Sequence, residues 1–277
     1  MAGNLYLVAT PIGNLEDITL RALKILKEVD FIAAEDTRHT LKLLNHFNIS
    51  KPLISYYKQT EKSKSKVLIE KLLDNKNIAL VSDAGTPGIS DPGEEIVREA
   101  VNNNIKVIPI PGACALVNAL IASGMSTKEF IFIGFLSSLK KDKKEKLEEI
   151  KNETRTIILY EAPHKLKNTL EMILEILGDR NLVLARELTK IHEEFIRGKV
   201  SEILNKIDEI KGEFVILIEG STESEKDKEI SNLNSKTLEE HYEFYKSQGI
   251  TKKEIIKKIA KDRNVNKNEI YQYFLKL

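Results

Sequence analysis

The chain has 277 residues, which is enough for two ordinary domains that each bury a core. Its 43 lysines and arginines nearly balance its 42 aspartates and glutamates, which excludes a polycation built to coat nucleic acid and leaves only local basic patches for such contacts. The single cysteine, Cys114, excludes an internal disulfide and a cysteine-based zinc site. No run is apolar and long enough to span a bilayer and no signal-peptide pattern is present, so we expect a cytoplasmic protein.

Short apolar runs recur along the chain and predict β-strands. They occupy residues 5–9, 31–34, 53–57, 78–81, 107–110, 130–135, 157–160, 182–185 and 214–218. Most of these runs are continuous rather than alternating, which is typical of strands that are covered on both faces. Amphipathic stretches with helical spacing lie between them. The alternation of the two patterns predicts an α/β fold with mainly parallel sheets.

Composition divides the chain into four predicted segments. An N-terminal α/β domain covers residues 1–112, and a second α/β domain covers 113–222, beginning with a helix that is apolar around most of its circumference. Residues 223–236 are rich in charged and small polar residues, as is typical of a linker. Residues 237–277 predict a small helical domain of the helix-turn-helix type. Its part from 246 to 277 carries a net charge of +6, which is as consistent with RNA contacts as with a solvated surface.

The loop that follows the fourth predicted strand carries the strongest signal of a ligand site. Residues 82–95 contain three glycines, two prolines and two aspartates. Asp91, Pro92 and the two glutamates after them predict the start of a helix with Asp91 as its N-cap. Polar or glycine-rich segments also follow other predicted strands, at 10–14, 35–38, 109–112, 161–164 and 186–190. Because strand carboxyl ends meet at the ligand crevice of such sheets, these segments predict a cleft.

Several kinds of chemistry are excluded by missing motifs. The sequence has no P-loop, no dinucleotide-binding glycine motif after the first strand and no nucleophile elbow. Its five histidines are scattered without ligand spacing, so we predict no metal. A cleft of carboxylates, glycines and aliphatic residues suits a bound cosubstrate and a transfer reaction that depends on positioning and one general base.

Seven motifs in order resemble the tetrapyrrole methylase superfamily and, within it, the family of ribosomal RNA small subunit methyltransferases. They lie at residues 7–15, 34–38, 82–93, 111–113, 134–136, 160–164 and 186–190. The resemblance implies a homodimer of two α/β domains with S-adenosylmethionine between them. It further implies 2′-O-methylation of a cytidine ribose in the decoding region of small-subunit (16S) ribosomal RNA within the 30S particle.

The resemblance also implies roles for individual residues, carried over by position. Cosubstrate contacts are expected from Pro11, Ile12, Asp83, Ala84, Gly85, Gly88, Ile89, Cys114, Ala115, Glu161 and Leu188. The proton acceptor is expected among Glu35, Asp36 and Glu187, in preference to Asp83 of the cosubstrate loop, although each acid could instead cap, pair or orient. Phosphate contacts are expected from Arg38, Arg186 and Lys190, which could equally pair with these acids. The lysine-rich run 140–144 is a further possible phosphate contact or a solvated helix start.

Two other functions stay open from the sequence. One is methylation of a tetrapyrrole precursor at carbon, which the basic tail and the segment 10–14 oppose because the wider superfamily has a glycine-rich loop at that segment. The other is a non-enzymatic RNA-binding assembly factor. The intact acids at 35–36 and 187 oppose it, because a vestigial cleft has no chemical need for them. A methyl-transfer assay with porphyrinoid precursors tests the tetrapyrrole alternative. A measurement of the affinity for S-adenosylmethionine tests whether the protein is a non-enzymatic assembly factor.

Overall fold

The computed structural model describes residues 2–207, 212–222 and 225–275, which form two compact units. The first unit runs to residue 150 and resumes over 155–219, and it contains both β-sheets of the described chain. The second unit comprises 151–154 and the residues after 219, and its regular structure is helical. None of the helices in this described part of the chain has the length and apolarity of a membrane span.

The first sheet is parallel throughout. Its strands are β1 (Leu5–Val8), β2 (Phe31–Ala34), β3 (Leu53–Ser55), β4 (Ile78–Val81) and β5 (Val107–Ile110), in the order β3-β2-β4-β1-β5. Its connecting helices are α1 (Leu20–Glu28), α2 (Thr37–His46), α3 (Glu61–Leu73) and α4 (Glu94–Asn102). Along β4, Ile78 and Leu80 enter one apolar core while Ala79 and Val81 enter the other. The sheet is therefore buried on both faces, as the continuous apolar runs predict.

The second sheet is mixed, and the prediction of mainly parallel sheets is wrong for it. Its strands are β6 (Phe130–Phe135), β7 (Thr156–Glu161), β8 (Asn181–Arg186), β9 (Glu194–Lys199) and β10 (Phe214–Ile218), in the order β6-β7-β10-β8-β9. The β6–β7 pairing is parallel, whereas β7–β10, β10–β8 and β8–β9 are antiparallel. Strand β9 was absent from the predicted strands because it lies at the sheet edge and its residues are largely polar.

Four helices accompany this second sheet. They are α5 (Ala115–Ser123), α6 (Lys140–Glu149), α7 (Pro163–Leu177) and α8 (Val200–Leu204). Helix α5 packs Leu116 and Leu120 against Val215 and Leu217 of β10, which accounts for one side of this apolar helix, whereas Val117 and Ile121 are exposed. The predicted domain boundary at residue 112 falls between β5 and α5, and it stays a prediction.

The second unit contains helices α9 (Glu225–Ser235), α10 (Leu238–Ser247), α11 (Lys252–Asp262) and α12 (Lys267–Tyr273). Thr237 starts α10 with a capping box, and Ile255, Ile256 and Ile259 of α11 are buried in the unit's core. Residues 225–235 of the predicted linker are helical, because apolar Leu233 gives that polar segment one buried contact in the same core. Residues 223, 224, 276 and 277 of the predicted linker and tail lie outside the described residues.

Candidate active site

A cavity of about 560 Å³ lies in the first unit, where the carboxyl ends of β2 and β4 face β7, β8 and β10. Nine of the eleven residues predicted to contact the cosubstrate line it. They are Ile12, Asp83, Ala84, Gly85, Ile89, Cys114, Ala115, Glu161 and Leu188. The other two, Pro11 and Gly88, are not among its lining residues. A cavity of this size accommodates a small-molecule ligand.

The loop after β4 brings main chain close to the cavity. The N–H groups of Thr10 and Gly85 each donate to the other's carbonyl, at 2.9 and 3.0 Å. Gly85 has a φ of 82°, and a Cβ there would lie 3.2 Å from Ile12 Cγ2, so a larger residue would be both strained and crowded. The Thr86 hydroxyl donates to the Ala113 carbonyl at 3.0 Å, which ties this loop to the start of α5. This part of the cavity wall is therefore fixed by main-chain contacts.

Asp91 faces the cavity instead of capping a helix, so the prediction of an Asp91 N-cap is wrong. Helix α4 begins at Glu94 with Gly93 as its N-cap residue, and the Gly93 N–H donates to Glu61 Oε1 at 2.8 Å. Ser90 has a φ of 66° and Gly93 a φ of 153°, and these two turns direct Asp91 away from the helix axis. Burial raises the pKa of Asp91 to about 6; a Ser82 hydrogen bond opposes this shift and the Asp83 charge adds to it.

Glu35 lines the cavity, but its neighbour Asp36 does not. Burial, followed by the charges of Asp91 and Asp83, raises the pKa of Glu35. Asp36 instead accepts the Arg38 N–H at 2.8 Å as the N-cap of α2, and its carboxylate binds the Arg38 guanidinium at 2.7 Å. Hydrogen bonds from Arg38 hold the pKa of Asp36 well below its usual range. The two predicted acids therefore occupy different environments.

Glu187 and Lys190 both line the cavity and are bound to each other. The Lys190 ammonium donates to Glu187 Oε1 at 2.9 Å, and the Glu213 N–H donates to the same oxygen at 3.0 Å. Burial by itself would raise the pKa of Glu187, but these hydrogen bonds and the charges of Lys190 and Arg186 lower it. Arg186 is also ion-paired, with Glu194 at 3.3 Å. This geometry indicates that Glu187 positions the Lys190 side chain and does not serve as a proton acceptor.

Glu161 is held by a buried polar network. Its carboxylate accepts the Ala162 N–H at 2.9 Å and the Thr169 hydroxyl at 2.5 Å. Lys143 lies 3.8 Å from it and donates to the Thr169 hydroxyl at 2.8 Å. Lys143 is only 3% exposed, so the reading of 140–144 as a surface phosphate contact is wrong for this lysine. Helical spacing turns Lys143 inward while Lys140, Lys141 and Lys144 stay exposed.

Aromatic residues that the sequence reasoning did not select complete the cavity. Tyr160 and Phe135 line it and contact each other with ring centroids 5.5 Å apart. The Tyr160 hydroxyl accepts the Leu116 N–H at 3.1 Å, and burial raises its pKa to about 12. Both residues lie within two of the seven family motifs, at 134–136 and 160–164, and these motifs are the feature of the sequence that could have identified them. His164 also lines the cavity.

The cavity carries an excess of acidic groups. Among the residues that the structure describes, six carboxyl residues line it, namely Glu35, Asp83, Asp91, Glu161, Glu187 and Glu213, against one lysine, Lys190. Such a wall favours a ligand that carries positive charge. Among the described residues, no group of three or more histidine, cysteine, aspartate or glutamate side chains has the arrangement of a metal site.

Comparison with known proteins agrees with this arrangement. The model of the tetrapyrrole (corrin/porphyrin) methylase family matches residues 4–204. The chain belongs to this family. This methylase is 53% identical over 274 residues to the ribosomal RNA small subunit methyltransferase I of Bacillus subtilis, an alignment that covers 98% of this chain and 94% of that protein. It is 46% identical to the protein of the same name from Synechocystis, with 99% and 98% covered.

A solved structure shares the fold of this methylase. The uroporphyrin-III C-methyl transferase of Thermus thermophilus, complexed with S-adenosylhomocysteine, superposes with a TM-score of 0.55 at 18% identity, covering 78% of this chain and 97% of that one. The predicted two-sheet tetrapyrrole methylase fold with added C-terminal helices is confirmed. The prediction of a methyltransferase that uses S-adenosylmethionine is also confirmed.

Proposed function

We propose that this methylase transfers a methyl group from S-adenosylmethionine to the ribose 2′-hydroxyl of one cytidine in the decoding region of small-subunit (16S) ribosomal RNA, in the 30S particle. The observation that carries the proposal is identity of 53% over 98% of the chain to a protein named as a small-subunit ribosomal RNA methyltransferase. Such a function places the protein in the cytoplasm, with the ribosomal subunit as its partner.

The residues of the cavity fit S-adenosylmethionine. The close approach of Gly85 to Ile12 and the small side chains of Ala84 and Ala115 leave room for a bulky ligand against main chain. The acidic wall suits a sulfonium cation. When bound, the cosubstrate supplies a methyl group on positively charged sulfur, which is a good leaving group. The protein then has to align the acceptor oxygen and remove its proton.

Among the three acids predicted to accept this proton, Glu35 has the most suitable environment. It lines the cavity with a raised pKa, and no described lysine, arginine or histidine forms an ion pair with it. Asp36 and Glu187 are engaged by Arg38 and Lys190. We therefore assign Asp36 and Glu187 a positioning role: they orient the Arg38 and Lys190 side chains, which bind RNA phosphates in the proposed complex.

The proposed RNA contacts differ in their readiness to bind phosphate. The Arg38 side chain is 87% exposed while it is paired with Asp36. Lys190 sits on the cavity wall, and its hydrogen bond to Glu187 and the Glu213 charge raise its pKa although burial opposes them. Lys190 is therefore firmly protonated next to the acceptor. We also propose Arg186 as a third phosphate contact. Its guanidinium pairs with Glu194 in the structure.

The experiment that tests the function measures incorporation of labelled methyl groups into small ribosomal subunits from cells that lack the modification. We expect one labelled decoding-region cytidine, methylated at the ribose oxygen. Labelling of a porphyrinoid precursor instead would favour the tetrapyrrole alternative. RNA binding without affinity for S-adenosylmethionine would favour the non-enzymatic assembly factor.

We also propose that the protein is a homodimer that uses an exposed apolar surface of the first unit. Val117 and Ile121, one turn apart on α5, are 45% and 68% exposed, and Ile191 is 97% exposed. Neighbouring exposed apolar side chains, such as these two on one face of α5, are typical of an association surface. Sedimentation should give twice the mass of 31.5 kDa for the native chain, and Ile121→Glu should shift the mass to that of the monomer.

We expect the basic surface of α11 to bind RNA. Lys252, Lys253 and Lys257 are exposed, whereas Ile255, Ile256 and Ile259 of the same helix are buried. Replacing all three with glutamine should weaken RNA binding and lower the slope of log affinity against log salt by about 2–3, at about 0.7–0.9 per phosphate contact. Filter-binding titrations from low to high salt measure this slope.

Two controls keep the test of α11 specific. Affinity for S-adenosylmethionine should stay unchanged in the triple variant, because that site belongs to the first unit. The same change at three exposed lysines of the first unit, Lys24, Lys27 and Lys62, should leave the slope nearly unchanged. Equal slopes for the triple variant and the native protein would exclude α11 from the RNA interface.

A further inference from the structure

Asp91 is a cavity carboxyl that the mechanism above does not use. It lies close enough to Glu35 and Tyr160 for its charge to affect the pKa of both. No described lysine, arginine or histidine forms an ion pair with it, in contrast to Asp36 and Glu187. Acids are ordinarily exposed to solvent or paired. Asp91 is half-buried without such a pair, and it faces the cavity.

The fold holds the backbone of Asp91 on both sides. Ser90 adopts a left-handed conformation, with a φ of 66°, which is costly for a residue other than glycine and persists where the surroundings impose it. On the side of β6, a Cβ at Gly134 would lie 3.0 Å from Ser90 Oγ, so the glycine permits close packing of this turn on the second sheet. After Asp91, the Gly93 N–H is bound by Glu61. The carboxyl of Asp91 is thus presented by a rigid turn.

The carboxylate of Asp91 keeps acceptor capacity for a ligand hydroxyl. The nearby Ser82 side chain, which is 2% exposed, lowers the pKa of Asp91, while its hydroxyl lies within hydrogen-bond distance of the Ala84 and Gly85 carbonyl oxygens, at 3.3 and 3.4 Å. Asp91 lines the cavity without an ion pair to any described lysine, arginine or histidine, so its carboxylate can receive a proton from a ligand there.

We propose that Asp91 is the catalytic base of the methyl transfer. The proposal rests on the proposed function, since it assigns the acceptor as a hydroxyl. The hydroxyl oxygen forms a bond to the methyl carbon as the carbon–sulfur bond breaks, and that electron pair stays on sulfur. The O–H proton passes to the Asp91 carboxylate, which later releases it to water.

Several titratable groups surround Asp91. Asp83, whose charge raises the pKa of Asp91, lies on its own loop, while Glu35 follows β2 and Tyr160 belongs to β7. Around the rest of the cavity wall stand Cys114, Glu161, His164, Glu187, Lys190 and Glu213. Burial and the charge of Asp83 favour the protonated form of Asp91, so the base is active above a pH of about 6 and is lost as the pH falls through that value. A base with a pKa close to the working pH is efficient.

The test compares Asp91→Asn and Glu35→Gln with a matched control, Glu94→Gln, an exposed acid on the neighbouring helix. Asp91→Asn should lower kcat by about 100-fold or more, as expected for loss of a general base, with the dissociation constant of S-adenosylmethionine changed less than about threefold. Glu35→Gln, which changes the other cavity carboxyl without an ion pair among the described residues, should lower kcat far less than Asp91→Asn does and leave the acid limb of the kcat/KM profile in place. Glu94→Gln should match the native protein.

A titration without catalysis gives an independent measurement. Carbon-13 NMR of labelled aspartate carboxyls should show one group that titrates near pH 6 in the native protein. This signal should be absent in Asp91→Asn and should persist in Glu35→Gln. Retention of this signal in Asp91→Asn would overturn the assignment, since the titrating carboxyl would then be another one.

The outcomes separate this inference from the proposed function. Native protein that does not methylate small-subunit RNA contradicts the proposed function itself. Native protein that methylates it, together with an Asp91→Asn variant of equal kcat and an unchanged acid limb, overturns only the role of Asp91. A variant that loses cosubstrate affinity but keeps kcat would also overturn it, because Asp91 would then act as a counter-ion of the sulfonium.

Discussion

Replacing Lys143 with methionine is expected to lower the free energy of unfolding of the protein by about 3–5 kcal/mol. The Lys143 ammonium is 3% exposed and lies 3.8 Å from the equally buried carboxylate of Glu161. Methionine keeps the apolar stem but removes the cation, so the Glu161 charge would be left with two neutral donors. A buried charge without its partner costs far more than the loss of a surface ion pair. Denaturant unfolding followed by circular dichroism measures the change.

Two further variants define the cause of this loss. Lys144→Met changes the neighbouring exposed lysine of the same helix and should alter the free energy of unfolding by less than about 0.5 kcal/mol. Adding Glu161→Gln to Lys143→Met removes the unpaired charge and should recover most of the lost stability. If the double variant is as unstable as Lys143→Met alone, packing and not charge compensation explains the role of Lys143.

Replacing Gly13 with valine is expected to raise the dissociation constant of S-adenosylmethionine by about 10- to 100-fold, the equivalent of about 1–3 kcal/mol of overpacking. A Cβ at Gly13 would lie 2.4 Å from Lys190 Cγ and 3.1 Å from the Leu188 carbonyl oxygen. The opposing segment has little freedom to move, since Glu187 and Thr189 both hold positive φ angles, of 50° and 67°. The two segments must therefore separate, and both contribute walls to the cavity.

Isothermal titration calorimetry of the native protein and the Gly13→Val variant measures this effect directly. Asn14→Ala provides the control, because Asn14 is the adjacent residue and only accepts the Glu16 N–H in the cap of a short exposed 3-10 helix. Its affinity for S-adenosylmethionine should stay within about twofold of the native value. Equal affinities for all three proteins would show that the approach of the two segments does not shape the ligand site.

Much of the site could be predicted because its residues follow strands in motifs that the sequence displays. Nine of the eleven expected cosubstrate residues line one cavity, including Gly85, whose positive φ explains the choice of glycine. The chemistry of the acids could not be predicted in this way. Asp36 and Glu187 are bound by cations, while Asp91 leaves the helix start to face the cavity. Whether a carboxyl pairs, caps or faces a ligand depends on neighbours that are remote in sequence, as Glu213 is from Glu187.

The sequence by itself determined which segments are buried and in which kind of element. Continuous apolar runs such as Ile78–Val81 have to be covered on both faces, and glycine is favoured where the backbone turns to positive φ, as at Gly85. Only the tertiary structure decided the antiparallel pairings of β10, the inward position of Lys143 and the exposure of Asp91 to the cavity. Local periodicity reports burial along one element, whereas strand direction and ion pairing arise from contacts between segments that the chain brings together over long distances.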